Sequence, residues 1–142
     1  MIRPLRSSDI SAITDIYELA NSTVNLPVPA DHFKKDAVNY ASETIYLCEN
    51  AVYELDGRVV GIISVSQDHI EGLFVHPEFF NKGVGQSLLS YFLNKKNWLQ
   101  LQVYENNLKA LNFYRKNGFK ITGGGTCQIT GLPYFEMVYE KP

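Results

Sequence analysis

Cysteine is scarce in this chain, with two among 142 residues. Cys48 and Cys127 each fall inside a strand-like stretch, and neither has a second cysteine or a histidine at metal-ligand spacing. That excludes a disulfide framework and a zinc site as organising devices, so both are read as reduced core residues and no metal is expected. Long apolar runs are also missing. Although 45% of the residues are hydrophobic, no stretch approaches the roughly 20 apolar residues of a membrane span, and no membrane anchor is expected. The opening Met1-Ile2-Arg3-Pro4-Leu5 runs into polar residues and lacks the apolar core of a secretory signal, which makes the cytoplasm the expected compartment. Thirteen Lys and Arg against 15 Asp and Glu give a formal net charge of −2. With no long basic run, the electrostatic footprint of a nucleic-acid binder is absent. Repeats, low-complexity tracts and Pro/Gly-rich linkers do not occur either, which leaves residues 1–142 as one domain large enough to bury a core.

What the sequence does contain is a steady alternation of strand and helix patterns. Ile2 to Leu5 fits a short strand, and Ser7 or Ser8 can cap a helix whose Ile10, Ile13, Tyr17 and Ala20 recur at helical spacing. Asn21 to Pro29 reads as irregular, and Ala30 to Ser42 as a second helix with Phe33, Ala37 and Tyr40 on one side. Ile45–Leu55 and Arg58–Ser66 are β-branched and aromatic-rich and are joined by Asp56-Gly57, which predicts an antiparallel hairpin. A third long strand spans His69 to Val75. A short loop then leads into a helix with Val84, Leu88, Leu89, Phe92 and Leu93 on its buried face. Trp98–Tyr104 is a further strand, Asn107–Asn117 a helix ended by Gly118, and two last strands flank Thr130-Gly131. The fold class is therefore α/β, a single-domain mixed sheet flanked by helices in the order β-α-α-β-β-β-α-β-α-β-β.

Two constellations bear on chemistry. The first, Lys82-Gly83-Val84-Gly85-Gln86-Ser87, sits where a strand hands over to a helix. The first N–H groups of that helix are unpaired and carry partial positive charge, and glycine at 83 and 85 lets an anion approach the backbone. Tight strand-to-helix packing accounts for the same glycines. A dinucleotide fingerprint is excluded because position 88 is leucine, and a P-loop because no Gly-Lys-Ser/Thr follows at the required distance. The second constellation runs from Asn107 to Phe119. Asn107, Ala110, Leu111 and Tyr114 share a helix face, which suits either a site or an ordinary amphipathic helix with a half-buried tyrosine.

In this order and at this separation, the two constellations resemble the GCN5-related N-acetyltransferases, the GNAT superfamily, over most of the chain. Phe80-Asn81-Lys82-Gly83-Val84-Gly85 is similar to that family's Gln/Arg-x-x-Gly-x-Gly/Ala pyrophosphate motif. Asn107-x-x-Ala110-x-x-Phe113-Tyr114-x-x-x-Gly118-Phe119 matches its later motif throughout. The Thr130-Gly131-Leu132-Pro133-Tyr134 stretch resembles small single-domain bacterial members of the YjaB kind. Phe80 departs from the family's Arg or Gln, which puts the weight of the anion site on backbone.

The resemblance implies an N-acetyltransferase, an acyltransferase of class EC 2.3.1, that uses acetyl-CoA as acyl donor and a small-molecule or peptide amine as acceptor by direct attack. It implies coenzyme contacts from Leu73, Phe74 and Val75 on the central strand, from Lys82, Gly83, Val84, Gly85, Gln86 and Ser87 at the helix start, and from Asn107, Ala110 and Tyr114. The Leu73 N–H is expected to donate to the thioester carbonyl, and Tyr114 to protonate the departing thiolate. His69 and Glu71, two apart on the strand, are the candidate bases; a solvated or salt-bridged carboxylate and a strand-end histidine without a role are the plain alternatives. The acceptor is expected near the first two helices, His69 and the C-terminal hairpin with Tyr134, where Asp31, Asp36, Glu43 and Asp68 could attract a cation or serve only as solvated surface. A homodimer is common among similar proteins. A coenzyme A-binding sensor without catalysis and a longer acyl donor are the competing readings.

Overall fold

The structure is a computed structural model and describes residues 1–24 and 26–142. Its elements follow the expected order: β1 (Ile2–Pro4), α1 (Ile10–Ser22), α2 (Ala30–Ser42), β2 (Glu49–Leu55), β3 (Arg58–Ser66), β4 (His69–Val75), α3 (Val84–Leu93), β5 (Trp98–Tyr104), α4 (Leu108–Lys116), β6 (Lys120–Thr126) and β7 (Pro133–Glu140). The seven strands form one sheet in the order β1-β2-β3-β4-β5-β7-β6. Every neighbouring pair is antiparallel except β4 and β5.

Two apolar layers cover the two faces. Ile13 and Ile16 of α1 and Tyr40 of α2 pack with Ile45, Val52, Val59 and Ile62 on one face. Val84, Leu88, Leu89 and Phe92 of α3 and Leu111 and Tyr114 of α4 pack with Ile63, Leu99, Leu101 and Met137 on the other. The Asp56-Gly57 turn has φ of 52° and 77°, the left-handed pair that matches the twist of a two-residue hairpin. Arg3 is buried and pairs with Asp9 (Nη1 to Oδ2, 2.9 Å) and Glu54 (Nη2 to Oε1, 3.1 Å), which ties β1 to the start of α1 and to β2.

Four local expectations change. Neither Ser7 nor Ser8 caps α1: Ser7–Asp9 is a 3-10 turn, and the Asp9 carboxylate accepts the Arg6 N–H at 2.7 Å. Helix α1 continues through Ser22, so the irregular stretch expected from Asn21 begins later; Asn25 within it lies outside the described residues. Thr44–Leu47 is a second 3-10 turn and β2 starts at Glu49, so Cys48 precedes its strand. Cys127 lies just past the end of β6. Both cysteines are free and only partly buried, which corrects their reading as core residues. Among the described residues no helix is long and apolar enough to cross a membrane.

Candidate active site at the opening between two strands

Strand β4 pairs with β3 from Ser66↔His69 to Gly61↔Val75, with a step between Ser64↔Gly72 and Val65↔Ile70. Glu71 is the extra residue at that step, so β4 carries a bulge that bends it and re-aims the side chains beside it. The His76 N–H donates to the Val60 carbonyl at 2.8 Å. Counting back by two, Phe74 and Gly72 also turn their N–H groups to β3, and those of Leu73 and Val75 face the other way. On that other side β5 pairs with β4 only at His69↔Gln100, beside a bond from the Gln100 N–H to the Asp68 carbonyl at 2.8 Å. Beyond this point the strands part. Leu73 and Val75 therefore present unpaired backbone along an edge inside the sheet, a template for an added extended chain. Phe74 belongs to the opposite phase. Its backbone is in register with Ile62, and its ring packs on Tyr17 and Tyr40 at 4.6 and 5.4 Å between centroids.

The start of α3 stands at the wide end of this opening. Gly83 is its N-cap with φ of 80°, a left-handed conformation that costs a residue bearing Cβ about 1 kcal/mol or more. The first helical bond runs from the Ser87 N–H to the Gly83 carbonyl at 3.0 Å. The N–H groups of Val84, Gly85 and Gln86 precede that bond and are without partners among the described residues; they form the positive end of the helix. Ser87 is thus removed from the set of free backbone donors, because its N–H is spent in the first turn. The Gln86 side chain is engaged too: Nε2 donates to Asn117 Oδ1 at 2.6 Å and to Ser90 Oγ at 3.1 Å. A Cβ on Gly85 would meet Val75 Cγ2 at 3.6 Å and Phe113 Cζ at 3.9 Å, which locates the helix start against both the end of β4 and the side of α4. The Lys82 ammonium lies over the Phe79 ring, 5.4 Å from its centroid.

Helix α4 closes the same side. Asn107 caps it, with Oδ1 accepting the Ala110 N–H at 3.2 Å, and Ala110 packs partly buried against the core. Tyr114 is 9% exposed, deeper than a half-buried amphipathic tyrosine, with the Phe113 and Phe119 rings each 5.3 Å away. Burial pushes its phenol above the ordinary range, so it stays protonated.

On the far side of the opening lies a cleft of about 660 Å³ whose lining includes His69, Glu71, Gln102, Tyr104, Cys127, Ile129 and Tyr134. His69 Nδ1 and Glu71 Oε1 are 3.2 Å apart. They are not in hydrogen-bonding geometry, and Nδ1 is buried without a hydrogen-bond partner among the described residues, a polar atom whose hydrogen-bonding capacity is unspent. The two side chains lie on one side of β4 with Ile70 buried between them on the other, as two-residue alternation predicts. Cys127 borders the cleft with the Tyr104 hydroxyl 3.6 Å from Sγ. Donors from Thr130, and to a lesser degree Tyr104, hold the Cys127 thiol down to about 7, while burial pushes Cys48 up to about 11.

The structure thus gathers His69, Glu71 and Tyr134 at one cleft, and the α3 start, Ala110 and Tyr114 on the other side of the opening; Tyr114 does not line the cleft. Among the described residues, helices α1 and α2 contribute no lining residue, and neither do the four acidic residues expected to draw a cation. Asp31 pairs with Lys35, Asp36 with His32 and Asp68 with Lys96 at 3.6, 3.0 and 3.7 Å. Sequence reasoning missed Gln102, Tyr104, Cys127 and Ile129 as cleft residues. Only the outward phase of β5 pointed to Gln102 and Tyr104, and nothing in the pattern brought the 126–129 segment beside them.

Comparison with known proteins adds the family. Residues 42–121 match the family described as the acetyltransferase (GNAT) domain. The chain is 30% identical over 140 residues to the peptidyl-lysine N-acetyltransferase YiaC of Escherichia coli, covering 96% of this chain and 94% of the relative. It is 28% identical over 144 residues to the L-amino acid N-acetyltransferase AaaT of the same organism, covering 88% and 85%. Among solved structures, apo-form YjaB from Escherichia coli superposes with a TM-score of 0.84 at 24% identity, covering 100% of this chain and 98% of that one.

Proposed function

The chain belongs to the GNAT acetyltransferase family, and from that premise we propose that it moves the acetyl group of acetyl-CoA directly to the side-chain amine of a lysine within a peptide or protein. The opening between β4 and β5 carries this reading. Three features supporting it stand in order along β4: the free N–H groups of Val84, Gly85 and Gln86 near its C-terminal end, the unpaired backbone of Leu73 and Val75, and the His69–Glu71 cleft at its start.

Each stage has a group suited to it. The α3 start holds pyrophosphate by backbone donors and the helix dipole. Leu73 and Val75 pair with the pantetheine arm as a strand edge pairs with an extended chain. The Leu73 N–H donates to the thioester carbonyl and stabilises the oxyanion that forms on attack. A lysine amine, with a reference pKa near about 10.4, enters as ammonium and must lose a proton first. His69 and Glu71, which line the cleft together, take it, directly or through a water. When the tetrahedral adduct collapses, the carbon–sulfur bond breaks and Tyr114, kept protonated by burial, donates its proton to the leaving thiolate. Neither cysteine is needed as an acyl carrier.

The cleft chooses between the acceptor classes named for the two relatives. Its lining has one carboxylate, Glu71, and no Arg or Lys. A free amino acid brings its own carboxylate, which would enter without a counter-charge and beside Glu71 at a desolvation cost. A peptidyl lysine brings only the cation and an aliphatic stem, and Ile129 and Tyr134 at the cleft can pack on that stem.

The test is release of free coenzyme thiol from acetyl-CoA with peptides bearing one internal lysine and a blocked N-terminus, against free amino acids and small amines. Turnover with the peptides and little with free amino acids is expected. Preference for free amino acids overturns the acceptor assignment. Tight coenzyme binding with no turnover on a broad panel would make the protein a sensor, and turnover only with longer acyl thioesters would change the donor.

A further inference from the structure

The aromatic lead-in to α3, Phe79-Phe80, has no part in the arrangement described above, yet three cations gather on it. Arg58 Cζ is 5.3 Å from the Phe79 centroid, and its Nη1 is 3.3 Å from Glu78 Oε2. Lys82 Nζ leans on the same ring at 5.4 Å. Lys109 Nζ sits over the Phe80 ring, 3.9 Å from its centroid. That is the shortest cation–ring distance of the three, and Lys109 has no carboxylate partner among the described residues. An aromatic face attracts an ammonium through its quadrupole but does not neutralise it, so the charge remains available to an anion.

The position of that charge follows from α4. Lys109 and Phe113 are four residues apart on the helix and so share a face. Phe113 Cζ is the atom a Cβ on Gly85 would approach at 3.9 Å, so this face fronts the start of α3 and its free N–H groups. Phe80 itself has neither charge nor hydrogen-bond donor. Any side-chain charge at this anion site must therefore come from another residue: Lys82 leans on Phe79, and Lys109 is held on Phe80 itself, from the α4 face that fronts the site. Holding the lysine against the ring also spends part of its rotamer freedom before a ligand arrives.

We infer that Lys109, seated on the ring of Phe80, supplies the side-chain charge that binds the coenzyme's pyrophosphate at the start of α3. This rests on the acetyltransferase reading and adds a residue to it. The ring and the lysine act as a unit: Phe80 is a positioning residue and Lys109 the ligand-binding one.

The test is titration calorimetry of coenzyme A and of dephospho-coenzyme A, which lacks the 3′-phosphate, with wild type, Lys109→Ala, Phe80→Leu, the double variant and Lys109→Ala combined with Phe80→Arg. Loss of one charge-assisted contact should weaken Lys109→Ala about tenfold toward both ligands. Phe80→Leu should weaken binding by a smaller factor, the double variant should be no worse than Lys109→Ala, and Phe80→Arg should restore most of the loss. Wild-type affinity in Lys109→Ala overturns the inference and leaves the enzyme assignment standing. A loss confined to coenzyme A overturns the pyrophosphate assignment in favour of the 3′-phosphate. Additive losses in the double variant overturn the role of Phe80. A wild type that binds neither ligand defeats the acetyltransferase reading and this inference with it.

Discussion

The two sides of the β4–β5 opening are built by different means. On the proposed coenzyme side the groups on offer are mainly backbone, three N–H groups at the start of α3 and the edge at Leu73 and Val75, all without partners among the described residues, with Lys109 the one side-chain cation proposed beside them. On the acceptor side they are side chains drawn from β4, β5 and the β6–β7 connection around an open cleft. Backbone recognition constrains the chain through glycine, capping and strand phase, while side-chain recognition leaves the residue types free to follow the substrate.

Variants can break or sharpen that contrast. The largest effect is expected for Tyr114→Phe, which keeps the ring in its apolar site and removes only the proton. kcat should fall on the order of a hundredfold, as for loss of a general acid, with coenzyme affinity unchanged. A parallel loss of coenzyme binding would make Tyr114 structural. On the acceptor side Glu71→Gln should lower kcat/KM by roughly tenfold, at the mild end for a general base because His69 remains. The rise of rate with pH should shift as well, and an unchanged profile would remove Glu71 from the reaction.

Gly83→Ala acts on the coenzyme side alone. A Cβ there meets nothing within 4 Å, so the cost is purely the positive φ, about 1 kcal/mol of stability; where the free loop relaxes out of that conformation, the same cost weakens coenzyme binding by up to roughly fivefold. Peptide KM at saturating coenzyme should not change. The smallest perturbation is chemical. Alkylation of Cys127 should rise with a midpoint at about pH 7, since donor groups stabilise its thiolate, while Cys48 should need about pH 11. Peptide substrate should protect Cys127 and leave Cys48 indifferent; protection of Cys127 by coenzyme A alone would mean that the two sides are not separate.

The same contrast explains what the sequence could disclose. Element order, the Asp56-Gly57 hairpin, strand β4 from His69 to Val75 and the glycine start of α3 were legible because each is enforced locally by turn chemistry, alternation or capping. Helix α2 was found to its ends, with Phe33, Ala37 and Tyr40 buried as expected. The Glu71 bulge left no local mark because it depends on how β3 pairs with β4; the spent N–H of Ser87 and the Asp9–Arg6 bond are local, but each follows from which residue starts the turn, and several neighbouring residues could have done so. The cleft was least legible: Gln102, Tyr104, Cys127 and Ile129 come together only through the β5-β7-β6 order of the sheet.

The most direct measurement is amide hydrogen exchange at Leu73, Phe74 and Val75 by NMR, without and with saturating acetyl-CoA. If the strand edge receives the pantetheine arm, exchange at Leu73 and Val75 slows on binding, while Phe74, already turned to β3, changes little. Bound coenzyme with unaltered exchange at Leu73 and Val75 would contradict the assignment of the opening as the coenzyme slot.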